Sequence, residues 1–488
     1  MNLYLIGHDY RYAAEQMLLT LFPDERPEYP DGRPTGDRAE LRLMSGTKVT
    51  TVTCVLVYHG QTANGRTSVP NGELTDPAEK DRRLQGAVKR AFYRAAMGIG
   101  LPHRPWGMLT GVRPGKLMTP LLAQGLNDAQ AARQFERQYD VSPARADLVV
   151  RTAHATLRAM ESLGEKDVCL YVGIPFCPTR CAYCSFVSQS VEKSMALVPE
   201  FLQALAREIA ATAEAVRRAG LHVVSLYIGG GTPTTLSARQ LDALCTQLAA
   251  AFDLSALREF TVEAGRPDTI TADKLQVLRA HRVDRISVNP QTLDDRVLDT
   301  IGRRHTAQDI YDALRLVRET GGFAVNMDLI AGLPGDTPDG FRATLEQVLA
   351  LAPENVTVHT LSRKRGSNLM AQDAPIPDGA AVGEMLDFAG TVLPRTGYAP
   401  YYLYRQKFMS GGFENVGWTR PGQENLYNIC IMEELCSILA MGGGASTKLV
   451  RPNGGRLERH IDPKYPTEYI ANIDRICAAK AELEAFFQ

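Results

Sequence analysis

Three thiols crowd into eight residues at C-P-T-R-C-A-Y-C, from Cys177 to Cys184, in a chain that has nine cysteines among 488 residues. Thiolates bind soft metals and iron–sulfur clusters. A structural zinc site closes with four ligands. No fourth Cys or His lies close by: Cys169 precedes the strand that leads into the motif and would point to its far end. A zinc reading therefore needs a distant ligand. The C-x-x-x-C-x-x-C spacing, in a loop just past a strand, suits a cubane cluster held at three irons. Its fourth iron stays open for a ligand that takes part in chemistry. Three incidental thiols is the remaining reading.

The elements around the motif must position it. Short apolar runs alternate with helix-length segments from about Cys169 onward. The runs are Leu170–Ile174, Val223–Ile228, Glu259–Val262, Arg285–Val288, Ala324–Ile330 and Val356–Leu361. Helical segments between them are Leu197–Ala219, Ala238–Ala251, Ala272–Ala280, Ala307–Thr320 and Gly340–Leu351. Apolar strand, helix, apolar strand is the rhythm of βαβ units on a parallel sheet. Six units make a barrel or an incomplete barrel, with reactive residues at the C-terminal strand ends. The fold class expected is α/β, a partial (β/α)6 barrel over 166–365 between two other regions. Residues 1–165 read as an α+β region, with strands at Leu3–Ile6 and Thr47–Tyr58 and helices at Ala13–Phe22 and Asp76–Met97. Ser142-Pro143 opens a further helix that stops near Gly164. Residues 366–488 read as mixed α/β.

The composition sets outer limits. Apolar residues make up 44% and charged residues 22%, a soluble globular balance with material for sizeable cores. Lys and Arg number 54 against 55 Asp and Glu, net charge −1, so no bulk attraction to nucleic acid or anionic membrane is expected. The N-terminus lacks a signal-peptide pattern, and no apolar run reaches membrane-spanning length. The remaining cysteines, Cys54, Cys169, Cys245, Cys430, Cys436 and Cys477, are scattered, which together with these features suits a reducing, cytoplasmic setting.

The cysteine motif, with Tyr183 before its last Cys, resembles the cluster motif of radical S-adenosylmethionine (SAM) enzymes. An ordered set of stretches extends the likeness across the barrel: Y-I-G-G-G-T-P-T (Tyr227 to Thr234), V-E-A-G-R-P-D (Val262 to Asp268), R-I-S-V-N-P-Q-T (Arg285 to Thr292), I-G-R-R-H (Ile301 to His305) and M-D-L-I-A-G-L-P-G (Met327 to Gly335). This set is similar to the oxygen-independent coproporphyrinogen III dehydrogenase superfamily, which also contains haem chaperones and haem-degrading enzymes. L-T-G-V-R-P-G-K-L (Leu109 to Leu117) and P-Y-Y-L-Y-R-Q-K-F-M-S-G-G-F-E-N-V-G-W (Pro400 to Trp418) resemble its longer branch, found mainly in Gram-positive bacteria.

The resemblance implies a 4Fe–4S cluster on Cys177, Cys181 and Cys184, with SAM chelating the open iron. It implies SAM contacts from Tyr171, Tyr183, Gly230, Gly231, Thr232, Glu263, Gln291, Arg303 and Asp328. Glycines let backbone approach a ligand closely, although Gly229 to Thr232 also reads as a tight βα turn. Arg303 matches the arginine that meets the SAM carboxylate, a task suited to a bidentate fork. The implied reaction is oxidative decarboxylation of two propionates of coproporphyrinogen III to vinyls, with a flavodoxin- or ferredoxin-type electron donor. Arg363, Lys364, Arg365, Arg405 and Lys407 are candidate propionate partners, and Met441 to Ala445 resembles a glycine loop of the family. Arg113 and Lys116 could be structural or could hold substrate. Two departures open alternatives. Phe186 stands where the decarboxylating members carry a further cysteine, as in the haem chaperones. Yet Gln423 to Asn428 lacks the histidine of the chaperones' haem motif. The alternatives are a haem-trafficking protein and a radical SAM enzyme acting on haem itself.

Overall fold

The computed structural model describes residues 1–184, 189–190, 194–362, 375–406, 410–451 and 457–487. The chain forms two compact units, Met1–Val112 with Leu126–Leu148, and Arg113–Gly125 with Val149–Gln488.

In the first unit, β1 (Asn2–Ile6), β2 (Arg38–Ser45), β3 (Val49–Tyr58) and β4 (Gln61–Pro70) form one sheet in that order. β1 runs parallel to β2 and the other pairs are antiparallel. Helices Arg11–Leu21 and Pro77–Gly98 bury Met17, Leu18 and Phe92 in one core with Leu41, Val52 and Leu56. Pro77–Gly98 starts where Asp76 accepts the Glu79 N–H at 2.8 Å, with proline in the first turn.

The second unit is built on one eleven-stranded sheet. β5 (Asp167–Ile174) leads into a two-residue ladder of β6 (Phe176–Cys177) with β7 (Gln189–Ser190), which lies outside that sheet. The barrel strands follow: β8 (His222–Gly230), β9 (Glu259–Val262), β10 (Arg285–Ser287), β11 (Ala324–Ala331) and β12 (Asn355–Thr360). Each pairs in parallel with the next, from β5 to β12. Helices Val198–Ala219, Ala238–Ala251, Ala272–Ala280, Ala307–Thr320 and Pro338–Ala350 connect them. This is the expected α/β fold with six βα units.

Residues after 398 continue the same sheet at both edges. β13 (Ala399–Arg405) and β14 (Glu414–Thr419) add antiparallel strands beside β12. β15 (Ser437–Gly442) lies parallel to β5 as a seventh parallel strand, followed by antiparallel β16 (Ser446–Leu449) and β17 (Glu458–Ile461).

The alternation along these strands separates two faces. One carries Val172, Leu226, Ile228, Val262, Ile286, Val325, Met327 and Val356, all buried. The opposite, inward face is polar. Its lower layer, Ser225, Glu259, Thr261, Arg285 and Asn355, is buried. Its upper layer, Tyr171, Tyr227, Glu263, Asn326, Asp328 and His359, stays partly accessible, so a cavity opens toward the C-terminal strand ends.

The stretch before and within helix Leu426–Glu433 closes the lower end. Leu426 N–H and Tyr427 N–H donate to the buried Glu259 carboxylate at 2.8 and 3.3 Å. Asn355 Nδ2 donates to Thr419 Oγ1 at 2.9 Å and to Gln423 O at 2.8 Å. A carboxylate at a helix N-terminus meets orphan N–H groups and the favourable end of the macrodipole, which offsets its burial. Asn425 joins the two parts: its Oδ1 accepts the Asn428 N–H at 2.8 Å and its Nδ2 donates to Thr261 Oγ1 at 3.1 Å. Asn425→Ala is therefore expected to destabilise the protein by about 2 kcal/mol, the sum of a lost cap and a lost buried hydrogen bond. Urea unfolding checks this; an unchanged midpoint would mean that the floor is held elsewhere.

Candidate functional site

The cysteine loop is clamped by the glycine turn after β8. Gly231 N–H donates to Ile174 O at 2.8 Å and Thr232 N–H to Phe176 O at 2.7 Å. Thr232 Oγ1 lies 3.5 Å from Cys177 Sγ. A Cβ on Gly231 would sit 2.5 Å from Phe176 O and 3.0 Å from Cys177 Sγ, so no side chain fits there. Gly230 has φ +109°, which a residue with a Cβ rarely adopts. Gly231→Ala is expected to push Cys177 outward and cut cluster loading about tenfold, with the cluster-free fold retained. Iron content per folded chain measures it, and full loading would show that the turn yields.

The other end of the loop is anchored by apolar packing. Ala182 N–H donates to Ile301 O at 3.0 Å, and Ala182 and Tyr183 pack with Val297, Leu298, Ile301, Ile330 and Leu333. Cys177, Cys181 and Cys184 are each partly accessible. Two buried arginines stand beside Cys181. Arg266 is fixed by two hydrogen bonds to Asp268, at 2.9 and 2.8 Å, and reaches Thr179 Oγ1 at 2.9 Å. Its Nη1 lies 4.0 Å from Cys181 Sγ. Arg303 donates to Asn289 O and also faces Cys181. Burial pushes the Cys181 thiol up, but the two guanidiniums outweigh it and hold it below its ordinary value.

A second group lines the inner face above the tyrosines. Tyr227 donates to Glu263 Oε1 at 2.6 Å. Burial pushes the Glu263 carboxyl up to about 7, with Asp328 pushing the same way. Asp328 takes a hydrogen bond from Asn326 Nδ2 at 2.7 Å and lies 3.8 Å from His359 Nε2. Burial would raise Asp328, but His359 and Asn326 hold it below the usual range. Gln291 N–H donates to Asp328 O at 2.8 Å, and Gln291 has φ +66°, a strained conformation for this residue type. Tyr171 joins a stack with Tyr227 and Tyr427, ring centroids 4.4 to 6.1 Å apart.

The predicted residues thus fall into two neighbourhoods. Cys177, Cys181, Cys184, Tyr183, Thr232 and Arg303 surround the loop; Glu263, Gln291 and Asp328 line the strand ends, with Tyr171 below them. Arg266, Tyr227, His359 and Tyr427 also belong here and are not singled out by the motif spacing. For His359, period-two alternation along V-T-V-H-T was the available signal. Arg113 and Lys116 both pair with Glu434, a structural role. Phe186, Arg363, Lys364, Arg365 and Lys407 lie outside the described residues.

The arrangement fits a cluster with an amino-acid ligand. Gln291 Oε1, Arg303 Nε and both His305 ring nitrogens are buried without a hydrogen-bond partner. Buried polar atoms are normally satisfied, so a polar ligand is what this region lacks. Burial, then Arg303 and Arg266, push His305 down to about 3, so it faces such a ligand as a neutral ring.

Residues 171–348 match the model of the radical SAM superfamily. Over 389 residues, 78% of each chain, the sequence is 39% identical to the oxygen-independent coproporphyrinogen-III oxidase-like protein HemZ of Bacillus subtilis. The chain belongs to the radical SAM family of oxygen-independent coproporphyrinogen-III oxidase-like proteins. Members of the radical SAM superfamily hold a 4Fe–4S cluster and SAM, the cofactors for which the donor set above is suited. The oxidase-like family has close neighbours of another kind: the haem chaperone HemW of Lactococcus lactis is 29% identical over 66% of this chain and 80% of its own. Among solved structures, coproporphyrinogen III oxidase (HemN) from Escherichia coli, a radical SAM enzyme, superposes with a TM-score of 0.50 and 25% identity, covering 66% of this chain and 72% of that one. Among the described residues no helix is long and apolar enough to cross a membrane.

Proposed function

We propose that this protein carries out the oxidative decarboxylation of coproporphyrinogen III to protoporphyrinogen IX. In this reading Cys177, Cys181 and Cys184 hold the cluster. Tyr171, Tyr183, Gly230, Gly231, Thr232, Glu263, Gln291, Arg303 and Asp328 form the SAM pocket. A flavodoxin- or ferredoxin-type protein supplies electrons, and the region from 366 onward is the substrate-associated part. The bound cofactors supply a carbon radical able to take hydrogen from a propionate side chain. The chain's own residues do the rest. Arg266 and Arg303 offset the charge gathered on the thiolates. Glu263, with its raised pKa, exchanges its proton for the positive charge of a bound ligand. The floor from Thr419 to Glu433 shuts water out of the lower barrel.

The observation that carries this reading is the cavity wall. Tyr402 and Tyr404 stack at 6.3 Å and 12° on β13, and the Tyr171–Tyr227–Tyr427 stack faces the same interior. Flat rings suit a large planar macrocycle. Arg405, next on β13, alternates to the other face, where it donates to Gly412 O at 2.7 Å and pairs across the strands with Glu414. The chaperone reading is weakened at Gln423 to Asn428. No histidine is present there, and Asn425 and Asn428 are committed to Thr261 and Tyr401, the latter at 3.2 Å.

The test is an anaerobic assay of reconstituted protein with dithionite and SAM, run separately with coproporphyrinogen III and with haem. Loss of two carbon dioxide units from coproporphyrinogen, with matching deoxyadenosine, supports the proposal. Deoxyadenosine without decarboxylation, turnover of haem alone, or stoichiometric haem binding without turnover overturns it.

A further inference from the structure

A second set of three thiols, with no part in the cysteine loop, meets at the lower end of the sheet. Cys169 lies on β5, Cys430 in helix Leu426–Glu433 and Cys436 just before β15. Their three Sγ atoms all lie within 4.8 Å of one another, and Cys169 Sγ is 3.6 Å from Cys436 Sγ. The local fold brings this about. Glu434, left-handed at φ +56°, turns the chain back after the helix. Parallel pairing then sets Cys169 beside Ile438, two residues past Cys436.

The spacing is that of ligands on one ion. Thiolate–metal bonds of about 2.3 Å place the sulfurs about 3.8 Å apart in a tetrahedral centre and about 4.0 Å apart in a trigonal one. A cubane, whose cysteines sit on separate irons, needs wider spacing. The shell is apolar: Val224, Ile438 and Tyr427, with Leu163 and Leu435 at its margin. The charged groups that reach the thiols are already engaged. Asp167 accepts the Gly164 N–H at 2.9 Å and faces Arg258 at 3.3 Å, and Glu259 is held by the helix N-terminus. Among the described residues no fourth ligand joins the group, and Cys169 and Cys430 are fully buried. Cys436, 7% exposed, is the point of entry.

We propose that Cys169, Cys430 and Cys436 form a three-coordinate, all-sulfur site for a soft monovalent cation of closed d shell, for which copper(I) is the probe. The site is separate from the cysteine loop and from the decarboxylation reading. Soft thiolates without oxygen or nitrogen partners select such an ion over hard divalent ones, and a three-sulfur set leaves zinc a ligand short. Binding releases the protons of the thiols that become ligands.

The experiment titrates copper(I), delivered from a chromophoric chelator, into the anaerobic reconstituted protein. It is repeated on Cys430→Ser, on Cys436→Ala and on a Cys177→Ala/Cys181→Ala/Cys184→Ala variant. One equivalent per chain is expected in the wild type, with near-ultraviolet sulfur-to-copper absorption. It should persist in the triple variant and weaken at least 100-fold in Cys430→Ser and Cys436→Ala. Melting of the copper-free variants reports whether they fold; Cys436→Ala, at the margin, keeps the test open if Cys430→Ser does not. Four results overturn the proposal: no copper bound, copper lost only in the triple variant, zinc bound as tightly, or a Cys169–Cys436 disulfide in protein isolated without air.

Discussion

Cys181→Ala is expected to yield a folded chain with almost no iron and with deoxyadenosine formation lowered at least about 1,000-fold. A cubane needs all its protein thiolates, and the loop supplies three, so losing one leaves two irons open to solvent. Cys181 is the most telling of the three. It is the thiol that Arg266 and Arg303 face, and removing it takes one neighbour from each of two buried guanidiniums. The loss should also reduce stability in the cluster-free state, by about 1 to 2 kcal/mol, because Arg266 keeps Asp268 and Arg303 keeps the Asn289 carbonyl. Cys245→Ala is the matched control. Cys245 is also a free cysteine, but it is buried on helix Ala238–Ala251 among leucines, and its loss should leave iron and turnover at wild-type values. Iron per chain, the visible absorption of the cluster and deoxyadenosine yield are the readouts. A Cys181→Ala protein that kept a full cluster would move the metal centre away from this loop.

The contrast between these cysteines shows what could be read from order alone. The loop is local, so its spacing is visible as a string. The group Cys169, Cys430 and Cys436 spans most of the second unit and exists only because β15 pairs with β5. Parallel barrel strands are legible because both faces are covered, giving compact apolar runs. Val223–Ile228 lies within β8 for that reason, whereas Ala324–Ile330, within β11, has only one apolar face. β4 was not legible. Its Asn64-Gly65 pair reads as a turn, yet it lies mid-strand, where a Cβ on Gly65 would meet Ala91 O at 1.9 Å. Helix Pro77–Gly98 approaches the sheet there, and tertiary packing overrides the turn signal. The two added edges of the large sheet were hidden for a similar reason: a run such as S-I-L-A-M-G states that it is buried, not beside which strand. In the site, residues inside motifs were visible, whereas His359 and Tyr427 enter it through strand register and chain return. The polar lining shows in β11 and β12 as apolar–polar alternation, V-N-M-D-L and N-V-T-V-H-T. Asn326 and Asp328 interrupt the apolar run because they face a cavity, and Asn355 and Thr357 because they are hydrogen-bonded in the buried polar face.

Glu263→Gln should make the protein more stable and nearly inactive at the same time. The Glu263 carboxyl is raised from 4.5 to about 7, first by burial and then by Asp328. The folded state therefore holds the proton more tightly than the unfolded chain does. Below pH 4.5 both states are protonated and the group has no effect. Between pH 4.5 and 7 ionisation favours the unfolded chain increasingly, and above pH 7 the full penalty applies. A rise of 2.5 pKa units corresponds to about 3 kcal/mol, an upper figure because the side chain remains partly accessible from the cavity. Glutamine keeps the shape and can still accept from Tyr227 through its amide oxygen, but it has no charge to bury. Urea unfolding of the cluster-free full chain should show the variant ahead by up to about 3 kcal/mol at pH 8, with the difference falling below about 1 kcal/mol at pH 5 and vanishing by about pH 4. Deoxyadenosine formation should fall at least about 100-fold, because a neutral amide cannot offset the positive charge of a bound sulfonium or ammonium. Wild-type SAM binding should release a proton near pH 7, seen as a buffer-dependent heat that the variant lacks. Equal stability at both pH values would remove the buried charge from the account. Unimpaired turnover would remove Glu263 from the site. The expected combination, stability gained where function is lost, is what a carboxylate held at a strand end for a cationic ligand must give, since a residue kept for the fold alone would move both in one direction.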